Sequence, residues 1–127
     1  FERGFVTYSN EAKVAQLGVD PDILEEYGAV SAECVLAMAQ GARRIAGSEL
    51  AVAVSGIAGP GGGSDTKPVG LVFVALASVD GLQVVRLQLS GARKRIKELS
   101  SKHALFMLYC FLTGRKLVSA GNMTVVQ

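Results

Sequence analysis

Tryptophan is missing from this chain of 127 residues, and histidine is represented by His103 alone. One histidine and two cysteines, Cys34 and Cys110, are too few for a dedicated zinc site, so no metal is expected. Both cysteines fall within apolar helical patterns and read as buried free thiols, in keeping with a cytoplasmic protein. Aromatic residues make up only 6% of the chain and the net charge is +2, which argues against a nucleic-acid partner. The run Arg93-Lys94-Arg95-Ile96-Lys97 reads mainly as a solvated face, although Arg93 lies near enough to Gly91 to reach an anion. No apolar run approaches the roughly 18 residues of a membrane span, so no membrane association is expected. A secretory leader is not expected either, because Phe1-Glu2-Arg3-Gly4 carries none of its regions. A start on Phe that leads straight into strand-like residues predicts that the chain continues a longer polypeptide.

What the chain does have is glycine, concentrated in one place. Ser55-Gly56-Ile57-Ala58-Gly59-Pro60-Gly61-Gly62-Gly63-Ser64-Asp65-Thr66-Lys67-Pro68-Val69-Gly70 lies between two apolar runs and offers nothing to a core. Such a segment gives up backbone order, which points to close approach by a small, polar, phosphorylated ligand. It is neither a Walker A loop nor a dinucleotide fingerprint, because a strand and not a helix follows it. A long flexible hairpin or crossover is the alternative.

The rest of the sequence, 50% hydrophobic, suits one globular domain. Gly4 to Tyr8 reads as a strand, and Asn10 to Leu17 as a helix stopped by Gly18. Asp20-Pro21 opens a second short helix that ends at Gly28. Ser31 caps a third, with Val35, Met38, Ala39, Ala42 and Ala46 on one face and Gly47 at its end. Leu50 to Val54 and Leu71 to Ala77 are unbroken apolar runs, as in strands covered on both faces. Asp80-Gly81 predicts a hairpin from the second of these into Leu82 to Leu89. A long helix from Ala92 to Leu112 follows, with Ile96, Leu99, His103, Phe106 and Cys110 along one stripe. The predicted fold is a three-layer α/β/α sandwich with a mixed sheet over residues 1–114, and 115–127 reads as a frayed tail.

Two groups of residues carry chemistry on this reading. With Asn10 as cap, Lys13 lies in the first helical turn, where the macrodipole disfavours an ammonium and a lysine general base gains. Tyr8 could orient it; otherwise the pair is a surface lysine and a half-buried tyrosine. Ser55 stands at the mouth of the glycine loop, where its hydroxyl bonds a ligand or caps the strand end, and Lys67 adds positive charge. His103 reads as a core histidine, and Ser31 with Glu33 as helix-capping residues.

Three blocks then carry a resemblance: Phe1-Glu2-Arg3-Gly4-Phe5-Val6-Thr7-Tyr8-Ser9-Asn10-Glu11-Ala12-Lys13, Gly28-Ala29-Val30-Ser31, and Ser55 to Pro60 continuing to Lys67-Pro68-Val69-Gly70. They are similar to the CinA C-terminal domain family, and within it to stand-alone nicotinamide-nucleotide amidases, from Phe1 to about Leu112. The resemblance implies deamidation of nicotinamide mononucleotide to nicotinate mononucleotide and ammonia, with no cofactor. It implies a serine nucleophile activated by Lys13 with Tyr8 nearby. It also makes Ser55, Gly56, Ile57, Ala58, Gly59, Gly61, Gly62, Gly63, Ser64 and Lys67 the substrate-binding loop. The family's nucleophile lies in an Ala-Glu-Ser-Cys-Thr-Gly-Gly segment that this chain lacks, and Ala92 replaces an acidic residue. The missing segment would leave a sheet edge exposed, from which a homodimer is expected. A non-catalytic nucleotide-binding or competence- and damage-associated module is the second functional reading.

Overall fold

The computed structural model describes residues 1–127. Chain order is α1 (Asn10–Leu17), α2 (Pro21–Tyr27), α3 (Ala32–Ala46), β1 (Ala51–Gly56), β2 (Leu71–Ser78), β3 (Gly81–Gln88), α4 (Arg93–Leu112) and β4 (Met123–Val125). The helix starts follow side-chain chemistry. The Ser9, Asp20 and Ser31 side chains accept from the N–H groups of Ala12, Asp22 and Cys34, each satisfying a donor that the helix itself leaves free. The cap of α1 is therefore Ser9, the first of two adjacent capping residues, and Asn10 opens the helix.

Side-chain alternation along the sheet sorts the core into two layers. Ala53, Ala75, Ala77 and Val84 face α1 and α3, where Leu17, Cys34, Val35, Met38 and Ala39 close the first layer. Val72, Val74, Leu76, Val85 and Leu87 face the other way, onto Ile96 and Met107 of α4. Each fully buried Val or Leu contributes on the order of 1.5–3 kcal/mol, so the central strand β2, apolar on both faces, anchors both layers. The three-layer α/β/α arrangement stands. Gly41 of α3 lies so close to α1 that an added Cβ would collide with the Leu17 carbonyl oxygen.

The sheet departs from the expected mixed type. Its order is β1-β2-β3-β4 and every pair is antiparallel. Gly4 to Tyr8, expected as a strand, is not part of it: residues 1–8 donate no backbone hydrogen bond and form no strand. Phe5 and Thr7 still turn inward while Val6 and Tyr8 are 85% and 89% exposed, so strand-like alternation persists without a partner strand. The residues after 114 are not frayed throughout. Met123–Val125 pair with β3, and Gln127 accepts the Val84 N–H at 2.7 Å. The α4 stripe also shifts by one residue at its middle: Met107 is buried, and Phe106 is 48% exposed.

Candidate functional site

Lys13 is the least ordinary residue of the chain, a lysine side chain only 5% exposed. Its side chain folds back under the N-terminus of α1, where Nζ donates to the carbonyls of Thr7 (2.7 Å), Tyr8 (3.4 Å) and Ser9 (3.5 Å). Full burial of an unpaired charge is prohibitive, and here backbone carbonyls serve in place of a carboxylate. The two longer contacts are those that an incoming hydroxyl or substrate would displace most readily. The Tyr8 ring points to solvent, so the expected pairing of its hydroxyl with Lys13 is not formed. Its backbone carbonyl reaches the lysine instead.

Ser55 occupies the last turnward position of β1, and its hydroxyl donates to the Ala29 carbonyl at 2.7 Å. That bond fastens β1 to the turn before α3. Ser31, in the same turn, donates to the Gly28 carbonyl at 2.8 Å while accepting from Cys34 N at 3.1 Å. Lys67 reaches the turn from the opposite side and donates to the Tyr27 carbonyl. The segment Gly28–Ser31 is thus a hub held by β1 at Ala29, with the glycine loop holding the residue just before it, Tyr27. On sequence alone Ser31 is only a helix cap and Lys67 a ligand contact. The signal was present in Gly28-Ala29-Val30-Ser31, but spacing along a chain says nothing about a partner 26 residues away.

The glycine loop is a hairpin connection between antiparallel neighbours and not a crossover. Ile57 N donates to Leu71 O at 2.9 Å and Gly70 N to Ile57 O at 2.7 Å, which extends the β1–β2 ladder by a rung. Beyond it, Ser64 N donates to Lys67 O at 2.8 Å, and Lys67 N to Ser64 Oγ at 3.1 Å. Gly59 and Gly63 pack on Val69: a Cβ at Gly59 would lie 2.6 Å from Val69 Cγ1, and one at Gly63 2.8 Å from Val69 N. Arg93 crosses from the start of α4 to donate to the Gly59 carbonyl at 3.1 Å, so it fixes the loop. The N–H groups of Gly61 and Gly62, at the exposed tip, donate to no backbone acceptor.

These residues divide between two clefts. Tyr8, Lys13, Ser55 and Gly56 line a cleft of about 520 Å3 between residues 1–8 and β1. Ile57, Ala58, Gly59, Gly61, Gly62, Gly63, Ser64 and Lys67 do not line it. Lys67 borders a smaller cleft of about 310 Å3 with Tyr27, Ser31 and Arg86. Cys34 lies between: burial pushes its thiol upward from the ordinary value, while Lys13 and Lys67 pull it back. Both ammonium groups therefore act on one thiol at the start of α3. His103 is half-buried and its Nδ1 meets the Leu99 carbonyl at 2.8 Å. No three His, Cys, Asp or Glu side chains gather in a way that could hold a metal ion. No helix is long and apolar enough to cross a membrane.

The chain is similar to proteins of several bacteria. A CinA-like protein of Geobacter sp. (strain M21) is 50% identical over 116 residues, covering 91% of this chain and 28% of its own. A CinA-like protein of Fervidobacterium nodosum is 50% identical over 108 residues, covering 85% and 26%. The chain thus spans about a quarter of the length of these curated relatives. Among solved structures, the competence/damage inducible protein CihA of Agrobacterium tumefaciens superposes with a TM-score of 0.83 at 44% identity. That match covers 85% of this chain and 67% of the other. A CinA superfamily protein of Escherichia coli gives 0.80 at 33% identity, covering 84% and 62%. The sequence profile of the CinA C-terminal domain matches residues 1–112, which include Lys13, the Gly28–Ser31 hub and the whole glycine loop. The fold, the loop and the profile agree, and the chain belongs to the CinA C-terminal domain family.

Proposed function

We propose that this chain forms most of an amidohydrolase site that deamidates nicotinamide mononucleotide, with the serine nucleophile contributed from outside residues 1–127. One observation carries the reading. A buried lysine, solvated by carbonyls alone, opens onto a cleft that also presents Ser55 and the start of the glycine loop. At about 520 Å3 the cleft has the size of a small-molecule site, and a mononucleotide is a small molecule.

In the proposed reaction Lys13 Nζ, as the neutral amine, takes the serine hydroxyl proton as Oγ attacks the carboxamide carbon. The tetrahedral oxyanion takes hydrogen bonds from the backbone N–H groups of Val54 and Gly56, which line the cleft and by strand alternation face away from β2. The C–N bond then breaks, Lys13 returns the proton, and ammonia leaves. Water attacks the acyl-enzyme by the same proton path, releasing nicotinate mononucleotide and the free serine. Tyr8 would turn its ring inward to orient the lysine once substrate is bound. Gly59, Gly61, Gly62, Gly63 and Ser64 would surround the ribose phosphate.

The test is ammonia release from nicotinamide mononucleotide by the longer gene product that contains this chain. Lys13→Met, which keeps the aliphatic bulk, should lower kcat at least about a hundredfold while leaving the circular dichroism spectrum unchanged. Undiminished release in that variant would overturn the role of Lys13. Clear mononucleotide binding with no ammonia release would instead identify a non-catalytic binding module.

A further inference from the structure

Arg86 is a cation that the proposed amidase site does not use. The sheet register sets it in one row with Phe73 of β2 and Ser55 of β1. Val84, two residues before it on β3, packs in the layer closed by α1 and α3, so by alternation Arg86 lies on that same side. It is only partly exposed there, and neither of its cross-strand neighbours, Phe73 and Thr124, is an acid. Arg3, Arg43, Arg44 and Arg93 each donate to a backbone carbonyl, whereas the five N–H donors of Arg86 have no such acceptor.

The cleft of about 310 Å3 brings this guanidinium together with a second cation, Lys67, also part-buried. The lysine is set in place by its surroundings. Its backbone is bonded to Ser64 in both directions, at 2.8 and 3.1 Å, and its Nζ commits one of three donors to the Tyr27 carbonyl. Gly28 leaves room for that ammonium: a Cβ there would lie 3.1 Å from Nζ, at a φ of +79° that favours glycine. Glu33 is the one acid on the lining, and it is exposed. Two cations against one carboxylate leave the cleft positive. It shares no lining residue with the cleft of about 520 Å3. The wall between them is the Gly28–Ser31 segment, which takes the Ser55 hydroxyl on Ala29 and presents Val30 and Ser31 to the smaller cleft.

We propose that this smaller cleft is a second ligand site, which takes a phosphate group between the Arg86 guanidinium and the Lys67 ammonium. The guanidinium fork meets two phosphate oxygens at once, and the lysine supplies a point charge to the third. A carboxylate offers two oxygens, which the fork alone occupies, so the pair of cations favours phosphate. At about 310 Å3 the cleft is at the small end of ligand pockets, which suits free phosphate or a small sugar phosphate. The site stands apart from the amidase reading, since it involves neither Lys13 nor a carboxamide.

The experiment is calorimetric titration of the gene product that contains this chain, with inorganic phosphate and with ribose 5-phosphate, at one ionic strength held by chloride. Neither probe carries a carboxamide, so the result does not depend on turnover. Binding should saturate, and Arg86→Gln should weaken it at least about tenfold, with Arg86→Lys recovering only part of the loss. Lys67→Gln, on the loop and outside the sheet, should weaken it to a similar degree, and Lys13→Met should leave it within about twofold. Bound phosphate should slow amide exchange from Val30 to Glu33 and at Thr66 and Lys67. Tighter binding of ribose 5-phosphate would assign a sugar phosphate, and equal binding the free ion; either supports the site. Heats no larger than those of chloride, or undiminished binding by a folded Arg86→Gln or Lys67→Gln variant, would overturn it. So would exchange protection confined to Gly59 to Ser64, which would put the phosphate at the tip of the glycine loop.

Discussion

Single side chains carry most of what is unusual here. Cys34 shows the electrostatics in the simplest form. Burial outweighs the pull of Lys13 and Lys67, so its folded value lies above the ordinary 9.0. A raised folded value means that the native state holds the thiol proton more tightly than the unfolded chain does. The associated stability is intact below about pH 9 and declines as pH rises through the folded value. Urea titrations from pH 7 to 10.5 should show a midpoint that is flat until about pH 9 and then falls, and Cys34→Ala should flatten that fall. Iodoacetamide at pH 7.5 should label Cys34 slowly in the native protein and rapidly in denaturant. Ser55 makes a different kind of prediction. Ser55→Ala breaks the bond to Ala29 and should cost about 1 kcal/mol in denaturant unfolding, a loss that a purely ligand-binding hydroxyl would not produce.

Secondary-structure elements were the part of the molecule most open to reading. The α1, α2 and α3 boundaries followed from Ser, Asp-Pro and Gly signals, and the β2–β3 hairpin from Asp80-Gly81, because these are local chemistries. Gly4 to Tyr8 failed for the opposite reason. A strand is defined by its partner, and alternation in one segment does not reveal whether a partner is present. The tail failed likewise: Met123–Val125 has ordinary strand composition, and only β3 beside it makes it a strand. Gly41 looked like an incidental helix residue, yet it allows α1 and α3 to touch. Gly41→Ala should destabilise by about 1–3 kcal/mol despite improving helix propensity, as measured by thermal or urea unfolding. Arg93 joins α4 to the glycine loop. Arg93→Ala should speed amide exchange across Ala58 to Gly63, whereas Arg93→Lys should recover only part of the protection, since the guanidinium fork is lost.

At the scale of the whole molecule, the candidate site was half legible. The glycine loop and the first-turn lysine announce themselves by composition and position, but that Lys13 is buried, and that Ser55 and Lys67 bond to Ala29 and Tyr27, depends on contacts made across the fold. The two edges of the sheet behave differently. On one side β1 presents bare backbone, and on the other the chain's own end lies against β3 through Val84, Val85 and Gln127. A sheet that can bond on both sides adds subunits without limit, as fibres do. Here one side is already capped by a strand of three residues, too short to template a long neighbour. On that side the backbone of Val84 is already spoken for, its N–H by Gln127 and its carbonyl by Val126, so the C-terminal residues shield β3 as an edge strand would otherwise have to be shielded by charge or proline.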